Sequence, residues 1–240
     1  MMSVARDLEV DVVLIDLDNT IYRFNEASQY ARERLSEHIA NFTNISADVV
    51  LKAYAEIADR TEGGAFASGH VMRCHRFEAL AQKLGISIDA ERMARFLEEQ
   101  LLDHAYLYRG ADVALASLER NYSIVIMTEA HDDIQRQILK RLRLERFALF
   151  ATFQYSARKS NGSAYEAIAR KLNVDTNKMI MVGDSWQNDV LAAAKCNMAT
   201  IWISHGRSIP GPPPLRFIGS AQCLLDALPL FGLSSDVADE

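Results

Sequence analysis

Two carboxylates lie two residues apart near the start of the chain, directly after the short apolar run 12–15. They are Asp16 and Asp18. Because residues two apart in an extended chain point to the same side, both carboxylates can approach one small volume. A divalent cation such as Mg²⁺ would offset their repulsion and neutralise a bound phosphate. Asp16 can then attack phosphorus, and Asp18 can serve as general acid and base. The alternative is that an Asp-Asn pair after a strand forms an ordinary turn.

A second pair of carboxylates follows the apolar run 179–182. Asp184 comes after Gly183 at the predicted strand end, and Asp189 falls in the first turn of the next predicted helix. Asp184 is therefore a candidate cation ligand, and Asp189 can ligate through water or orient its neighbours. The alternative for Asp189 is that its carboxylate stabilises a helix N-terminus. The predicted metal ligands are Asp16, Asp18, Asp184 and Asp189.

Two further segments carry groups that can bind a phosphate. Thr128 follows the apolar run 124–127 and places a hydroxyl at the strand end, next to the backbone N–H of Glu129. Lys159 precedes a predicted helix, so its ammonium group and that helix N-terminus can face the same anion. The alternatives are a capping threonine and a solvated lysine. The predicted phosphate-binding residues are Thr128, Glu129 and Lys159.

The elements that must position these groups alternate between strands and helices. Buried strands are predicted at 12–15, 124–127, 179–182 and 200–203, and weaker strands at 151–153 and 216–218. Apolar residues at helical spacing predict helices at 110–121, 132–142, 162–172, 187–195 and 220–228. Glycine and proline at 206–214 predict a surface loop. This alternation predicts an α/β fold with a parallel sheet covered on both faces.

The stretch 23–108 is far too long for a single crossover helix between the first two strands. Its apolar residues recur at helical spacing throughout, which indicates an inserted all-helical subdomain. The predicted organisation is therefore a core formed by residues 1–22 and 109–240, with a helical cap formed by residues 23–108.

Composition narrows the possible partners. A formal net charge of -6 without a basic block argues against binding to nucleic acid polymers or to an anionic membrane. The three cysteines, Cys74, Cys196 and Cys223, are far apart and lack metal-ligand or redox spacing, so reduced thiols are expected. The first residues lack the pattern of a secretory signal, and no apolar stretch is long enough to span a bilayer. We expect a cytoplasmic monomer or homodimer.

The order and types of these groups resemble the four motifs of the haloacid-dehalogenase-like (HAD) hydrolase superfamily. The matching segments are Asp16-Leu17-Asp18-Asn19-Thr20, Thr128, Lys159, and Gly183-Asp184-Ser185 with Asp189. The resemblance implies a Rossmann-like core with a helical cap, with Asp16 as nucleophile and Asp18 as acid and base. It implies Thr128 and Lys159 as phosphate ligands, and Mg²⁺ held by Asp184 beside Asp16 and the backbone carbonyl of Asp18. Dehalogenating relatives lack an aspartate equivalent to Asp18, so dehalogenation is disfavoured.

The resemblance predicts a Mg²⁺-dependent phosphatase that hydrolyses a small phosphorylated metabolite through an aspartyl phosphate. Asn19-Thr20-Ile21 with Tyr22 is similar to the start of pyrimidine 5′-nucleotidases, which suggests a nucleoside 5′-monophosphate as substrate. A sugar phosphate or phosphoglycolate suits the same core. A phosphomutase would use the same aspartyl phosphate, and a non-catalytic regulatory relative is a further alternative.

Specificity is expected to come from the cap, where segment 69–77 collects cationic and aromatic groups. Arg73 or Arg76 can meet a second anionic group, and His70 can bond a base or hydroxyl. The alternative is a solvated basic helix face. Two residues depart from the family pattern. Glu129 would repel a phosphate unless it is turned away or paired. Asn197 replaces a usual glycine and is expected to adopt the left-handed conformation at a helix end.

Overall fold

A computed structural model describes residues 9–61 and 64–234 of the 240-residue chain. The strands are β1 Val12–Asp16, β2 Ser123–Thr128, β3 Ala148–Ala151, β4 Met179–Gly183, β5 Ala199–Ile203 and β6 Phe217–Ala221. The α-helices are α1 Phe24–Ala40, α2 Ala47–Thr61, α3 Gly69–Leu84, α4 Ala90–Asp103, α5 Ala111–Glu119, α6 Asp132–Arg141, α7 Ser163–Leu172 and α8 Ala192–Lys195. A π-helical turn spans Trp186–Leu191, and 3₁₀ segments span Thr152–Tyr155, Thr176–Lys178 and Leu225–Phe231. Within these described ranges, no helix combines the length and the apolar character needed to cross a membrane.

The six strands form one parallel sheet in the order β3-β2-β1-β4-β5-β6. Its central strand β1 is buried along its whole length. Val12 and Leu14 pack in one cluster with residues of α7 and α8, including Ile168 and Ala193. Val13 and Ile15 are also fully covered, although alternate residues of a strand point to opposite faces. The sheet is therefore covered on both faces, which confirms the predicted Rossmann-like α/β core.

The less regular predicted elements begin or end at other residues in the structure. The strand predicted at 151–153 is β3, which ends at Ala151 before a 3₁₀ segment, because only residues 148–151 pair with β2. The strand predicted at 216–218 is β6, Phe217–Ala221. The helix predicted at 220–228 is wrong over its first residues: Ser220 and Ala221 pair with β5, and a 3₁₀ segment forms only from Leu225.

The chain divides into two compact units. Of the described residues, the sheet unit takes those up to Arg23, Leu107–Ala130 and those from Leu144 on. The helical unit takes Phe24–Tyr106 and His131–Arg143. The second range contains α6, which the predicted bounds placed in the core. Asp133 on α6 accepts hydrogen bonds from the backbone N–H groups of Gly69, at 3.1 Å, and His70, at 2.9 Å, which ties α6 to α3.

The predicted core includes two terminal stretches that the structure does not describe. Residues 1–8, where the sequence argues against a secretory signal, and residues 235–240 lie outside the described residues. The predicted core and cap bounds, 1–22 with 109–240 and 23–108, stay a prediction.

Asn197 adopts the left-handed conformation in the turn that ends α8, with φ of 63°, which confirms the expected helix end. The side chain is exposed, so replacing it removes little packing. We expect Asn197→Ala to lower the free energy of unfolding by about 1 kcal/mol, because a side chain without local polar atoms is strained at positive φ. Asn197→Gly, the matched control, should not lower it. Urea unfolding followed by circular dichroism checks both, and equal stability of the two variants would contradict the prediction.

Candidate active site

Three neighbouring strands end at, or directly before, the polar groups that the sequence singles out. Asp16 is the last residue of β1, Thr128 the last of β2, and Gly183 the last of β4. Because β1 lies between β2 and β4 and all three run parallel, these ends meet at one edge of the sheet. The chain leaves β1 for β2 on one side and reaches β4 on the other, so the site lies at a switch point of the topology. Open α/β sheets bind ligands at this position.

The ammonium group of Lys159 lies between two carboxylates. Its Nζ donates to Asp16 Oδ1 and, at 2.8 Å, to Asp189 Oδ1. The relative exposures are 3% for Lys159, 7% for Asp16 and 1% for Asp189. Lys159 is therefore not a solvated lysine, and the structure brings together one group from each of three separated sequence segments.

Carboxylates outnumber the lysine in this buried site. Burial, together with the charges of Asp189 and Asp18, raises the pKa of Asp16 well above its usual value against the opposing charge of Lys159. Burial alone would lower the pKa of Lys159, but Asp16 and Asp189 raise it well above its usual value. The ammonium group therefore stays charged, and the carboxylates remain in excess. This balance favours a further cation at the site.

The π-helical turn after β4 sets the position of Asp189. The carbonyl oxygen of Ser185 accepts hydrogen bonds from the N–H groups of Asp189, at 2.7 Å, and Val190, at 3.3 Å. The turn brings Asp189 Oδ2 back to accept from the Ser185 N–H at 3.0 Å. The same carboxylate packs directly on Gly183, where a Cβ atom would overlap it. A glycine is thus required at the end of β4 for Asp189 to reach Lys159.

Asp184 lies beside the buried pair and is more accessible. Its carboxylate is 3.6 Å from the guanidinium group of Arg207, and its backbone carbonyl accepts from Trp202 Nε1 at 2.9 Å. Burial and the charge of Asp189 raise the pKa of Asp184, although Arg207 opposes the shift. One carboxylate oxygen from each of Asp16, Asp184 and Asp189 lies within 4.8 Å of the others. This all-oxygen donor set fits Mg²⁺, which prefers hard ligands.

Asp18 lies outside that group of three carboxylates. Its Oδ2 accepts a hydrogen bond from Thr128 Oγ1 at 3.1 Å, and the hydroxyl in turn accepts from the Ala130 N–H at 3.2 Å. Glu129 Oε1 accepts from the backbone N–H of Lys159 at 2.9 Å. The Glu129 carboxylate is therefore paired with the segment that carries the lysine, which answers the concern that it would stand unpaired beside a phosphate.

Two residues near the site were missed by the sequence reasoning. Arg207 donates through Nη2 to the Asp184 backbone carbonyl at 2.8 Å, and His205 Nε2 is 2.6 Å from the Asn19 backbone carbonyl. The His205 ring stacks on Tyr108. The available signal was their position directly after β5, since polar groups that follow parallel strands reach the same sheet edge. Arg207 falls within 206–214, which the glycine and proline content predicts as a surface loop, and His205 directly precedes it.

The residues predicted to set specificity are all engaged within the helical unit. Arg73, which is 7% exposed, donates to Glu98 Oε1 at 3.0 Å. His70 Nδ1 lies 3.0 Å from the same Glu98 oxygen. Arg76 donates through Nε to Thr61 Oγ1 at 2.7 Å. These side chains hold helices of that unit together, and the buried Arg73 does not match a solvated basic face.

Comparison with known proteins adds an independent line of support. The haloacid dehalogenase-like hydrolase family matches residues 10–197. The glyceraldehyde 3-phosphate phosphatase of Pyrococcus abyssi is 24% identical over 207 residues, 82% of this chain and 83% of that protein. The pyrimidine 5′-nucleotidase YjjG of Escherichia coli is 22% identical over 204 residues, 83% of this chain and 89% of that protein. The Bacillus subtilis HAD-hydrolase YfnB, solved bound to magnesium, shares the fold with a TM-score of 0.72 and 18% identity, over 93% of this chain and 99% of its own.

Replacement of Lys159 tests the charge balance of the site. We expect Lys159→Met to lower the free energy of unfolding at neutral pH by about 3–5 kcal/mol, because two buried carboxylates lose their counter-charge. A carboxyl whose pKa is raised on folding favours the native state at low pH. The loss of unfolding free energy in Lys159→Met should therefore shrink as pH falls. Chemical unfolding between neutral and mildly acidic pH measures this. Lys195→Met, at an exposed position in the same unit, is the control; an equally small loss in both variants would contradict the prediction.

Proposed function

Because the chain belongs to the haloacid dehalogenase-like hydrolase family, we propose that it is a magnesium-dependent phosphomonoester hydrolase that works through an aspartyl-phosphate intermediate. The observation that carries the proposal is the buried ammonium group of Lys159, bonded to both Asp16 and Asp189 at the end of the central strand. The two relatives described above, a phosphatase and a nucleotidase by name, support the same reaction class.

Asp16 is the proposed nucleophile. Lys159 fixes its Oδ1, and the other carboxylate oxygen attacks phosphorus as the bond to the leaving oxygen breaks. Asp16, Asp184 and Asp189 would hold Mg²⁺, which supplies positive charge to neutralise the substrate phosphate and the surrounding carboxylates. Lys159, the Thr128 hydroxyl and the Glu129 backbone N–H would bind the phosphate oxygens.

Asp18 is the proposed general acid and base. Protonated Asp18 gives its proton to the leaving alkoxide, and the resulting carboxylate then takes a proton from water. That water attacks phosphorus of the aspartyl phosphate, which releases inorganic phosphate and restores the Asp16 carboxylate. The 3.1 Å contact between Thr128 Oγ1 and Asp18 Oδ2 supports this role, because it places Asp18 beside the hydroxyl that would bind the phosphate.

The substrate we favour is a nucleoside 5′-monophosphate. The segment Asn19-Thr20-Ile21-Tyr22 supports it, as does the similarity to a pyrimidine 5′-nucleotidase. The second candidate is a small sugar phosphate, which the similarity to a glyceraldehyde 3-phosphate phosphatase favours. Both substrates place a phosphomonoester at the same sheet edge and differ in what surrounds the leaving group.

Phosphate release tests the reaction. We expect the protein to release inorganic phosphate from nucleoside monophosphates or sugar phosphates with Mg²⁺ and to lose this activity with a chelator. Asp16→Asn should reduce turnover by about 10³-fold or more, as loss of a nucleophile does. Asp11→Asn, an exposed position directly before the same strand, is the matched control and should retain activity. A folded wild-type protein that releases no phosphate from nucleoside monophosphates or sugar phosphates would overturn the proposal. Transfer of the phosphoryl group to a hydroxyl of a second molecule, which forms a new phosphate ester, would indicate a mutase instead.

The role of Asp18 has a separate test. With p-nitrophenyl phosphate, whose leaving group needs no proton, Asp18→Asn should give a burst of about one p-nitrophenolate per chain followed by slow turnover. With an alkyl phosphate the same variant should be slowed from the first turnover by about 10²–10⁴-fold. Stopped-flow absorbance and phosphate assays measure the two cases. Asp16→Asn should give no burst, and an Asp18→Asn variant equally slow on both substrates from the first turnover would contradict the assignment.

A further inference from the structure

The helical unit contains a second cluster of metal-ligating side chains, which the proposed reaction does not use. His70 and Cys74 lie four residues apart on α3 and therefore face the same side of the helix. Glu91 on α4 meets both of them. One ligand atom from each residue lies within 4.8 Å of the other two. Cys74 and His70 are partly exposed and Glu91 is exposed, so a dissolved ion can reach the cluster.

The distances within the cluster are close to those of a tetrahedral metal site. Cys74 Sγ is 3.6 Å from His70 Nε2 and 3.3 Å from Glu91 Oε2. The His70 Nε2 to Glu91 Oε2 distance is 2.8 Å. In a tetrahedral site with ordinary zinc bond lengths, the sulfur ligand lies about 3.6 Å from a nitrogen or oxygen ligand, and the nitrogen and oxygen ligands lie about 3.4 Å apart. A cation would therefore require only a small outward movement of the exposed Glu91 side chain.

Neighbouring side chains orient the ligand atoms toward one another. Glu98 lies against the other ring nitrogen of His70, with Oε1 at 3.0 Å from Nδ1, and Arg73 donates to the same oxygen. Nδ1 donates its proton to Glu98, so Nε2 is the ring nitrogen that becomes a ligand once a cation displaces the proton it donates to Glu91. A carboxylate behind a histidine is the usual support of a metal-bound imidazole. Arg95 holds Glu91 Oε1 at 2.6 Å, which leaves Oε2 as the oxygen that faces Cys74.

We propose that His70 Nε2, Cys74 Sγ and Glu91 Oε2 bind a divalent transition-metal cation of the Zn²⁺ type, with water in the remaining position. The mixed nitrogen, sulfur and oxygen donors suit Zn²⁺ and Co²⁺, whereas Mg²⁺ prefers oxygen alone. A thiolate and a carboxylate together balance the charge of a divalent ion. The bound ion would link α3 to α4 and so stabilise the helical unit.

The thiol proton occupies the place of the cation in the metal-free protein. Burial and the hydrogen bond to Glu91 raise the pKa of Cys74 to about 11, so the thiol donates its proton to Glu91 Oε2. Binding of a cation replaces this proton and the proton that His70 Nε2 donates to Glu91 Oε2. Both protons leave to solvent, the sulfur becomes a thiolate ligand, and Nε2 becomes a neutral ligand.

Cobalt spectroscopy of the full chain tests the site directly. In excess Mg²⁺, which would fill the all-oxygen site, we expect about one Co²⁺ per chain with a thiolate-to-cobalt charge-transfer band and the strong visible bands of tetrahedral cobalt. Cys74→Ser should abolish the charge-transfer band and His70→Gln should weaken binding by at least about 10-fold. Cys196→Ser, a similarly half-buried cysteine, is the matched control and should keep the band. Absence of the band in the wild type, or its survival in Cys74→Ser, would overturn the proposal.

Two further measurements do not depend on removing a ligand. Glu98→Gln should keep the charge-transfer band but weaken Co²⁺ binding by about 10–100-fold, as changes behind a metal-bound histidine do. In the unaltered protein, Zn²⁺ should slow alkylation of Cys74 by iodoacetamide while Cys196 and Cys223 react at unchanged rates, as followed by peptide mass spectrometry. An alkylation rate of Cys74 that does not change with Zn²⁺ would overturn the proposed metal site, and this test needs no variant.

Discussion

The buried ammonium group of Lys159 is held by carboxylates that come from the end of β1 and from the turn after β4. Bringing Asp16 and Asp189 together without it would place two uncompensated charges in a buried site, at a cost of several kcal/mol. The lysine therefore fixes where these two segments can lie relative to each other. It also leaves the group short of positive charge, because Asp184 and Asp18 lie close by and four carboxylates then face one ammonium group. The interaction that holds the site together thus offsets only part of its negative charge, and the excess carboxylates form a donor set that fits a divalent cation.

Sheet topology and local backbone geometry supply what the lysine needs. The parallel order places the ends of β2, β1 and β4 side by side, so the polar residues after each strand face one volume. The π-helical turn then returns Asp189 to the end of β4, where Gly183 leaves room for its carboxylate. The strand order alone does not place Asp189 beside Lys159, because a side chain at position 183 would displace the Asp189 carboxylate even with the strands in place.

The sequence indicates which segments meet at the candidate site, because the pattern that marks a strand end is local. Apolar runs followed by Asp16, Thr128 and Asp184 identify strand ends, and parallel strand ends meet. It could not predict that Glu129 accepts from the Lys159 backbone, since that contact depends on how two distant loops fold. Arg207 was missed for a different reason: a lone arginine within the glycine- and proline-rich segment 206–214 carries no periodic signal. In the predicted helix 220–228, the first residues pair with β5 instead, so strand pairing overrides the helical pattern of the sequence there.

The segment 69–77 shows how partners decide what a charged stretch can bind. By composition it is a cationic face that suits an anion, and the sequence predicts Arg73 or Arg76 as the group that would meet it. In the fold, Glu98 pairs with both Arg73 and His70, and Glu91 meets His70 and Cys74. An anion would have to displace Glu98 from a buried arginine, which leaves a charge uncompensated. Because α4 supplies carboxylates to this face of α3, the face is rich in electron-pair donors, and its chemistry favours a cation over an anion.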